Sequence, residues 1–122
     1  MSLELQGLRT VIYPAPDLEG AKQWWTTLLG HEPNFDEPFY VGFDVGGYEL
    51  GLLPDADPDD GAIVYWGVPD VPEAVARALT TGATEHSAPA EVGGGIVTAA
   101  VRAPSGSIVG LIDNPNFVAA PQ

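Results

Sequence analysis

The chain has no cysteine, only 4 basic residues and 2 histidines. No apolar run approaches the ~18 residues of a membrane-spanning helix. The lack of cysteine excludes disulfides and thiolate chemistry and agrees with a reducing cytoplasm, which is the location that we expect. With 17 acidic residues the net charge is −13. That charge repels nucleic-acid backbones and anionic membranes, so we expect neither as a partner. The N-terminal stretch has no basic region followed by a long apolar segment, and we expect no secretory signal.

What the chain does have is a repeat. Its 122 residues, 45% of them hydrophobic, suit a single domain with a packed core. Residues 11–30 and 64–82 each begin with β-favouring residues, continue through Pro-Asp and an aliphatic residue, and then follow a helical pattern. Asp17 and Asp70 are predicted N-caps, because a short carboxylate accepts hydrogen bonds from the first free amides of a helix.

Both predicted helices end on glycine, at Gly30 and Gly82. Each has an apolar stripe with the i, i+3, i+4 spacing of a helix that packs on a sheet. The predicted stripes are Leu18, Ala21, Trp25 and Leu28 in the first helix, and Val71, Ala74, Val75, Ala78 and Leu79 in the second.

Short strands follow each helix. The predicted strands are Phe39–Val45 and Tyr48–Leu53 after the first, Gly95–Ala103 and Ser107–Asp113 after the second, and shorter ones near Pro33–Asp36 and Thr84–Ser87. Each half therefore reads β-α-β-β-β, which predicts an α+β fold. We expect one domain over 1–122, with module one at about 8–54, an acidic linker at 55–61, module two at about 62–113 and a tail at 114–122.

Two βαβββ units in a chain of this length resemble the vicinal oxygen chelate superfamily, which includes glyoxalases, bleomycin-resistance proteins and extradiol dioxygenases. The resemblance spans roughly residues 8–117 and implies two modules forming an incomplete barrel around a cavity, with the helices outside. It also implies a homodimer. The residues that carry it are Val11-Ile12-Tyr13, Pro16-Asp17-Leu18-Glu19, Trp24-Trp25 and Leu28-Leu29-Gly30 in the first half, and Pro69-Asp70-Val71, Ala74-Val75, Thr81-Gly82-Ala83, Ala103-Pro104-Ser105-Gly106-Ser107 and Gly110-Leu111-Ile112 in the second.

The resemblance also implies where a metal would bind in metal-dependent members. Those positions match Thr10, Glu49, Ile63 and Gly110, so Glu49 is the one matching ligand position. A divalent ion needs three or four protein donors. We therefore expect no metal in the usual site, although a divalent metal held by a rebuilt site stays open. Both histidines are expected at the surface.

Strand alternation indicates which side chains share a face. If Thr10 faces the implied cavity, then Ile12 does too, and Glu49 shares a face with Gly51. The third strand adds either Phe39, Val41 and Phe43 or Tyr40 and Gly42, because both sets are apolar. The predicted ligand-binding set is Thr10, Ile12, Phe43, Glu49, Tyr65, Ile108 and Gly110, and Glu49 is the candidate catalytic residue.

Three hypotheses follow. The leading one is metal-independent binding of a small organic molecule, with a cation as one option, since Glu49 is a carboxylate beside aromatic and apolar residues. The alternative is a metal-dependent lyase, isomerase or dioxygenase with a site rebuilt around Glu49. The third is metal-free acid–base catalysis by Glu49, assisted by Tyr65 or Thr10. Whether the protein is an enzyme stays open.

Overall fold

A computed structural model describes residues 5–117. The elements run β1 (Leu8–Pro14), α1 (Leu18–Leu29), β2 (Phe35–Glu37), β3 (Tyr40–Val45), β4 (Tyr48–Leu53), a short 3-10 helix (Pro58–Asp60), β5 (Ile63–Gly67), α2 (Val71–Leu79), β6 (Thr84–Glu91), β7 (Val97–Arg102) and β8 (Ile108–Asp113). The predicted α+β class and the two βαβββ modules are confirmed. The last five residues of the predicted tail, 118–122, lie outside the described residues.

The chain groups into two compact units. The first unit comprises residues 10–63, and the second comprises residues 5–9 and 64–117 among those described. That they make one domain stays a prediction, as do the dimer and the cytoplasmic location. No helix within residues 5–117 is long and apolar enough to cross a membrane.

In the first unit the strand order is β2-β3-β4-β1. Strands β2, β3 and β4 are antiparallel neighbours, whereas β1 runs parallel to β4. The glycine turn predicted between β3 and β4 is present, with positive φ at Gly46 and Gly47. The core lies between one sheet face and α1 and contains Ala15, Val41, Phe43, Leu50 and Leu52.

The second unit repeats this plan in the order β5-β8-β7-β6. Strand β5 is parallel to β8, and the remaining neighbours are antiparallel. Helix α2 buries Val71, Ala74, Val75 and Ala78 against the sheet, where Ala99, Val101 and Leu111 complete the core. Residues 6 and 7 join this unit, because the Gln6 N–H donates to the Gly67 carbonyl and the Gly67 N–H donates to the Gly7 carbonyl, both at 2.8 Å.

Both helices begin where predicted, but only the first ends there. Asp17 accepts from the Gly20 N–H at 3.1 Å, and Asp70 accepts from the Glu73 N–H at 3.0 Å. Gly30 ends α1 with φ of 81°. The prediction that α2 runs to Gly82 is wrong.

Helix α2 ends earlier because its last turn tightens, with the Thr80 N–H donating to the Arg77 carbonyl at 3.1 Å and the Thr81 N–H to the Ala78 carbonyl at 3.0 Å. The Thr80 hydroxyl donates to Arg77 and the Thr81 hydroxyl donates to Ala78, each at 2.6 Å. Carbonyls satisfied this way no longer need a further helical turn.

The predicted helix stripes were wrong at one residue each. In α1 Leu29 joins the core, whereas Leu28 is 59% exposed. In α2 Leu79 is 43% exposed. Adjacent apolar residues at the end of a helix both fit an i+3 or i+4 spacing, so the pattern alone does not decide which one is buried.

Candidate functional site

Glu49 lies in the middle of the first unit's sheet. Strand β4 is bordered by β1 and β3, and the register sets Glu49 between Thr10 and Asp44. Thr10 is only 3% exposed, while Glu49 is half-buried. Glu49 therefore lies on the sheet face opposite the α1 core, with a buried hydroxyl beside it.

Tyr40 shares the Glu49 face. On β3, Tyr40 and Gly42 point to this face by alternation, and Gly42 lies directly opposite Gly51. A Cβ placed on Gly51 would lie 2.6 Å from the Tyr40 Cζ, and one on Gly42 would lie 2.7 Å from the Glu49 Oε2. The paired glycines thus leave the space that the Tyr40 ring and the Glu49 carboxylate occupy.

Two hydroxyls hold the Glu49 carboxylate. Burial raises the pKa of Glu49 above its ordinary value, and hydrogen bonds donated by Tyr40 and Thr10 hold back part of that rise. A carboxylate offers about four lone-pair sites, so two hydroxyls leave acceptor capacity for a ligand. The Tyr40 and Thr10 hydroxyls therefore orient the Glu49 carboxylate, whose pKa is raised, on a largely apolar face of the sheet.

Two further aromatic rings adjoin Tyr40 at the edge strand. The Phe35 ring lies 6.1 Å from the Tyr40 ring and 6.0 Å from the Phe39 ring, measured between centroids. Phe35 is opposite Gly42 in the register and is 44% exposed, and Phe39 is 61% exposed. Phe35 was not among the predicted site residues. The feature that could have identified it is the pairing of an aromatic residue with a glycine on the neighbouring strand.

In the second unit a tyrosine ring also lies over a glycine of the last strand, although it comes from the first strand of the module, β5. Tyr65 lies opposite Gly110 on parallel strands, and a Cβ on Gly110 would lie 2.6 Å from the Tyr65 Cγ. Burial raises the pKa of the Tyr65 phenol. Ile108, two residues before Gly110, points to the same face by alternation and is half-buried. Each unit therefore sets a tyrosine ring over a glycine of the strand that closes its module.

The predicted ligand-binding residues divide between sheet faces. In the first unit Thr10, Ile12 and Glu49 share a face, with Ile12 opposite Gly51. Phe43 is not with them: it lies on the face under α1 and is fully buried in the core. Of the two sets left open for the third strand, the structure selects Tyr40 and Gly42 for the Glu49 face.

Several solved structures share the fold of this chain, and they identify which fold it is. No family model and no curated protein matches the chain. A glyoxalase/bleomycin resistance protein/dioxygenase superfamily member from Vibrio splendidus 12B01 aligns with a TM-score of 0.66 at 17% identity, over 87% of this chain and 97% of that one. A variant of Streptomyces coelicolor methylmalonyl-CoA epimerase, in complex with 2-nitronate-propionyl-CoA, aligns with a TM-score of 0.70 at 16% identity, over 97% and 100%.

A third similar structure is the Mn(II)-bound glyoxalase from Novosphingobium aromaticivorans. It has a TM-score of 0.69 at 14% identity, and the alignment covers 99% of this chain and 43% of that one. The chain has the vicinal oxygen chelate fold. At these identities the likeness concerns the fold, and this fold hosts unrelated activities.

Some proteins with this fold bind a metal ion, as the Mn(II)-bound glyoxalase does. The side chains at the four matched ligand positions of this chain can be compared with what such an ion needs. Of the four matched positions, Ile63 has a hydrocarbon side chain, Gly110 has none, and the Thr10 hydroxyl already donates to Glu49. Within residues 5–117 no three His, Asp or Glu side chains gather in a way that would hold a metal ion. One carboxylate and one neutral hydroxyl do not fit a divalent ion, which needs three or four protein donors.

A polar groove of about 650 Å³ lies elsewhere on the first unit, between α1 and the segment that follows it. It contains none of the predicted site residues. Its Lys22 ammonium lies 3.2 Å from the carboxylates of both Glu19 and Asp36, so its charge is already compensated. We assign no ligand to this groove.

Proposed function

We propose that this protein binds a small organic cation on the Glu49 face of the first unit, without a metal ion. The observation that carries the proposal is the Glu49 carboxylate, which is half-buried, oriented by the hydroxyls of Tyr40 and Thr10, and set beside aromatic rings. A carboxylate with aromatic neighbours attracts a cation both by charge and by the negative face of each ring.

Three further observations support this proposal. Phe35 and Phe39 extend the aromatic surface from Tyr40 to the exposed edge of the sheet. The net charge of −13 raises the local concentration of cations. Ile12 adds apolar area beside the carboxylate. In the second unit, we propose that Tyr65 and Ile108 offer a separate apolar surface to a ligand, with Gly110 beneath the Tyr65 ring.

The first experiment titrates the protein with benzyltrimethylammonium by calorimetry, with benzyl alcohol as the uncharged comparison. We expect the cation to bind and Glu49→Gln to weaken that binding at least about tenfold, because two charges about 4 Å apart near a protein surface interact by ~4 kcal/mol before desolvation is subtracted. Glu85→Gln makes the same charge change at an exposed residue of β6 and should leave the affinity unchanged. Equal affinity of wild type and Glu49→Gln would refute the proposal.

The raised pKa of Glu49 favours a second candidate, metal-free acid–base catalysis. A carboxyl whose pKa lies above its ordinary value is a better proton acceptor, and the Tyr40 hydroxyl beside it is a possible proton donor. Glu49→Gln should abolish turnover under this candidate, whereas a wild-type protein that binds the cation but turns over no substrate would favour binding alone. Turnover that survives in Glu49→Gln would exclude this candidate.

A metal-dependent lyase, isomerase or dioxygenase with a site rebuilt around Glu49 is the alternative. It needs two or more additional donors beside Glu49. Metal analysis of the purified protein, together with melting curves in Zn²⁺, Mn²⁺, Ni²⁺ and Fe²⁺, tests it. A stoichiometric metal that is lost in Glu49→Gln would favour this alternative over the proposal.

A further inference from the structure

Two of the four basic residues, Arg9 and Arg102, form no ion pair within residues 5–117, and of these two only Arg9 is half-buried. Lys22 and Arg77 form ion pairs, at 3.2 Å with Glu19 and Asp36 and at 2.6 Å with Glu73. The guanidinium of Arg9 pairs with no carboxylate within residues 5–117. Because the chain has 17 acidic residues, a half-buried guanidinium that forms no ion pair within residues 5–117 is unexpected and indicates a specific role.

The Arg9 side chain packs closely against two residues of the second unit, Gly67 and Phe117. A Cβ on Gly67 would lie 2.7 Å from the Arg9 Nε and 2.9 Å from its Cζ, so the side chain passes directly over this glycine. The Arg9 Cζ also lies 4.0 Å from the centre of the Phe117 ring. The planar guanidinium thus contacts the backbone of β5 and an aromatic ring, which together restrict its orientation.

The segments that carry these contacts are themselves held by hydrogen bonds. The chain before Arg9 is joined to β5 through the two 2.8 Å bonds between residues 6–7 and Gly67. The chain before Phe117 is held by the Asn116 side chain, which donates to the Gly94 carbonyl at 3.1 Å, and by the Phe117 N–H, which donates to Asn114 at 3.2 Å. The guanidinium is therefore oriented before any ligand arrives, and this lowers the entropic cost of binding.

We propose that Arg9 anchors a binding site for an organic anion, in which the guanidinium takes a carboxylate or a phosphate monoester. A guanidinium has five N–H donors in a planar fork that matches two oxygens of such groups. Here the Arg9 Nη1 makes one long bond, 3.4 Å, to the Leu8 carbonyl. Tyr65 is two residues before Gly67 and points to the same face by alternation, so the apolar part of the anion extends towards Tyr65.

This proposal goes beyond the proposed function. It concerns an anion rather than a cation, and it rests on Arg9, Gly67 and Phe117, none of which carries the Glu49 proposal. The net charge of the chain repels anions at long range. We therefore expect a free inorganic anion to bind more weakly than an organic anion, because the organic anion also buries apolar surface.

The test uses nuclear magnetic resonance titrations of the full chain with phenylacetate, phenyl phosphate, inorganic phosphate and the neutral benzyl alcohol. We expect one or both organic anions to shift the Arg9 Nε–H and Gly67 amide signals saturably, and benzyl alcohol to leave them unshifted. The two organic anions distinguish a carboxylate site from a phosphate site.

The variants are Arg9→Ala, Arg9→Lys and the matched control Arg102→Ala. Arg102 is exposed and donates to the Gly106 carbonyl of its own turn, so its loss removes the same charge from the same unit. Arg9→Ala should weaken anion binding by at least about tenfold, since a hydrogen bond to a charged group contributes about 1.5–3 kcal/mol. Arg9→Lys, which keeps the charge but loses the fork, should bind more weakly than wild type, and Arg102→Ala should bind like wild type.

Arg9→Lys keeps the test informative if Arg9→Ala does not fold. The proposal is overturned if neither organic anion shifts the Gly67 and Arg9 signals, or if Arg9→Lys binds as tightly as wild type. It is also overturned if Arg102→Ala weakens binding as much as the Arg9 variants do, because the anion would then respond only to total charge.

Discussion

Replacing Gly51 by alanine tests the geometry of the Glu49 face most directly. The new Cβ would lie 2.6 Å from Cζ and 2.8 Å from Cε1 of Tyr40, closer than carbon atoms approach without displacement. The Tyr40 ring must therefore move, and its hydroxyl loses the hydrogen bond to Glu49. The pKa of Glu49 should then rise further, because one of the two hydroxyls that hold it down is removed.

The expected cost in stability is modest. Inserting a methyl group into a filled space costs about 1–3 kcal/mol. Alanine in a strand offsets about 0.5–1 kcal/mol of that cost, because glycine loses more conformational freedom on folding. Tyr40 is half-buried, so its ring has room to turn away. We expect the free energy of unfolding of Gly51→Ala to fall by about 1 kcal/mol, which is a drop of about 4 °C in melting temperature for a chain of this size.

A double-mutant cycle with Tyr40→Ala isolates the contact. Once the ring is gone, the three closest contacts of the methyl group at position 51 are gone too, and Gly51→Ala should destabilise the protein less. Urea unfolding gives the four free energies, and a carboxyl carbon titration of Glu49 follows its pKa. If Gly51→Ala costs the same with and without the Tyr40 ring, then the ring does not lie over Gly51 and the reasoning fails.

Two other predictions concern the core and the pH dependence. Phe43→Ala should lower the free energy of unfolding by about 3–5 kcal/mol, because Phe43 is fully buried. Leu28→Ala should change it little, because Leu28 is 59% exposed. Equal losses in the two variants would contradict the difference in burial. Burial raises the pKa of Glu49 in the folded chain, so the folded state binds this proton more tightly than the unfolded state, and stability falls as the pH rises through the raised pKa. Glu49→Gln removes that fall, so its melting temperature should gain on the wild type as the pH rises above the ordinary glutamate range, and a constant difference would contradict the raised pKa.

The local elements could be predicted because their causes are local. Asp17 and Asp70 cap their helices through bonds that reach only three residues along the chain, and the Gly46-Gly47 turn joins adjacent strands. Strand β4 has the predicted bounds, Tyr48–Leu53. Such features depend on neighbouring residues, which the sequence displays directly.

The face of β3 could not be predicted, since Tyr40, Gly42, Val41 and Phe43 are all compatible with an apolar environment. The structure places Phe43 under α1 and Tyr40 beside Glu49, because Val41 and Phe43 fill the space below the helix and the small Gly42 leaves room for Tyr40. The choice depends on volumes contributed by other strands, and single-strand alternation contains no such information.

The sequence by itself determined the class of the fold, the repeat, and the fact that Glu49 is the one ionisable residue among the matched ligand positions. The fold class and the repeat follow from periodicity, caps and turns, which act over a few residues, and the matched positions follow from the resemblance to the superfamily. Only the tertiary structure decided that the hydroxyls of Tyr40 and Thr10 meet at Glu49 and that Arg9 lies between Gly67 and Phe117 in contact with both. These groups are distant in the sequence, and strand register with close packing brings them together.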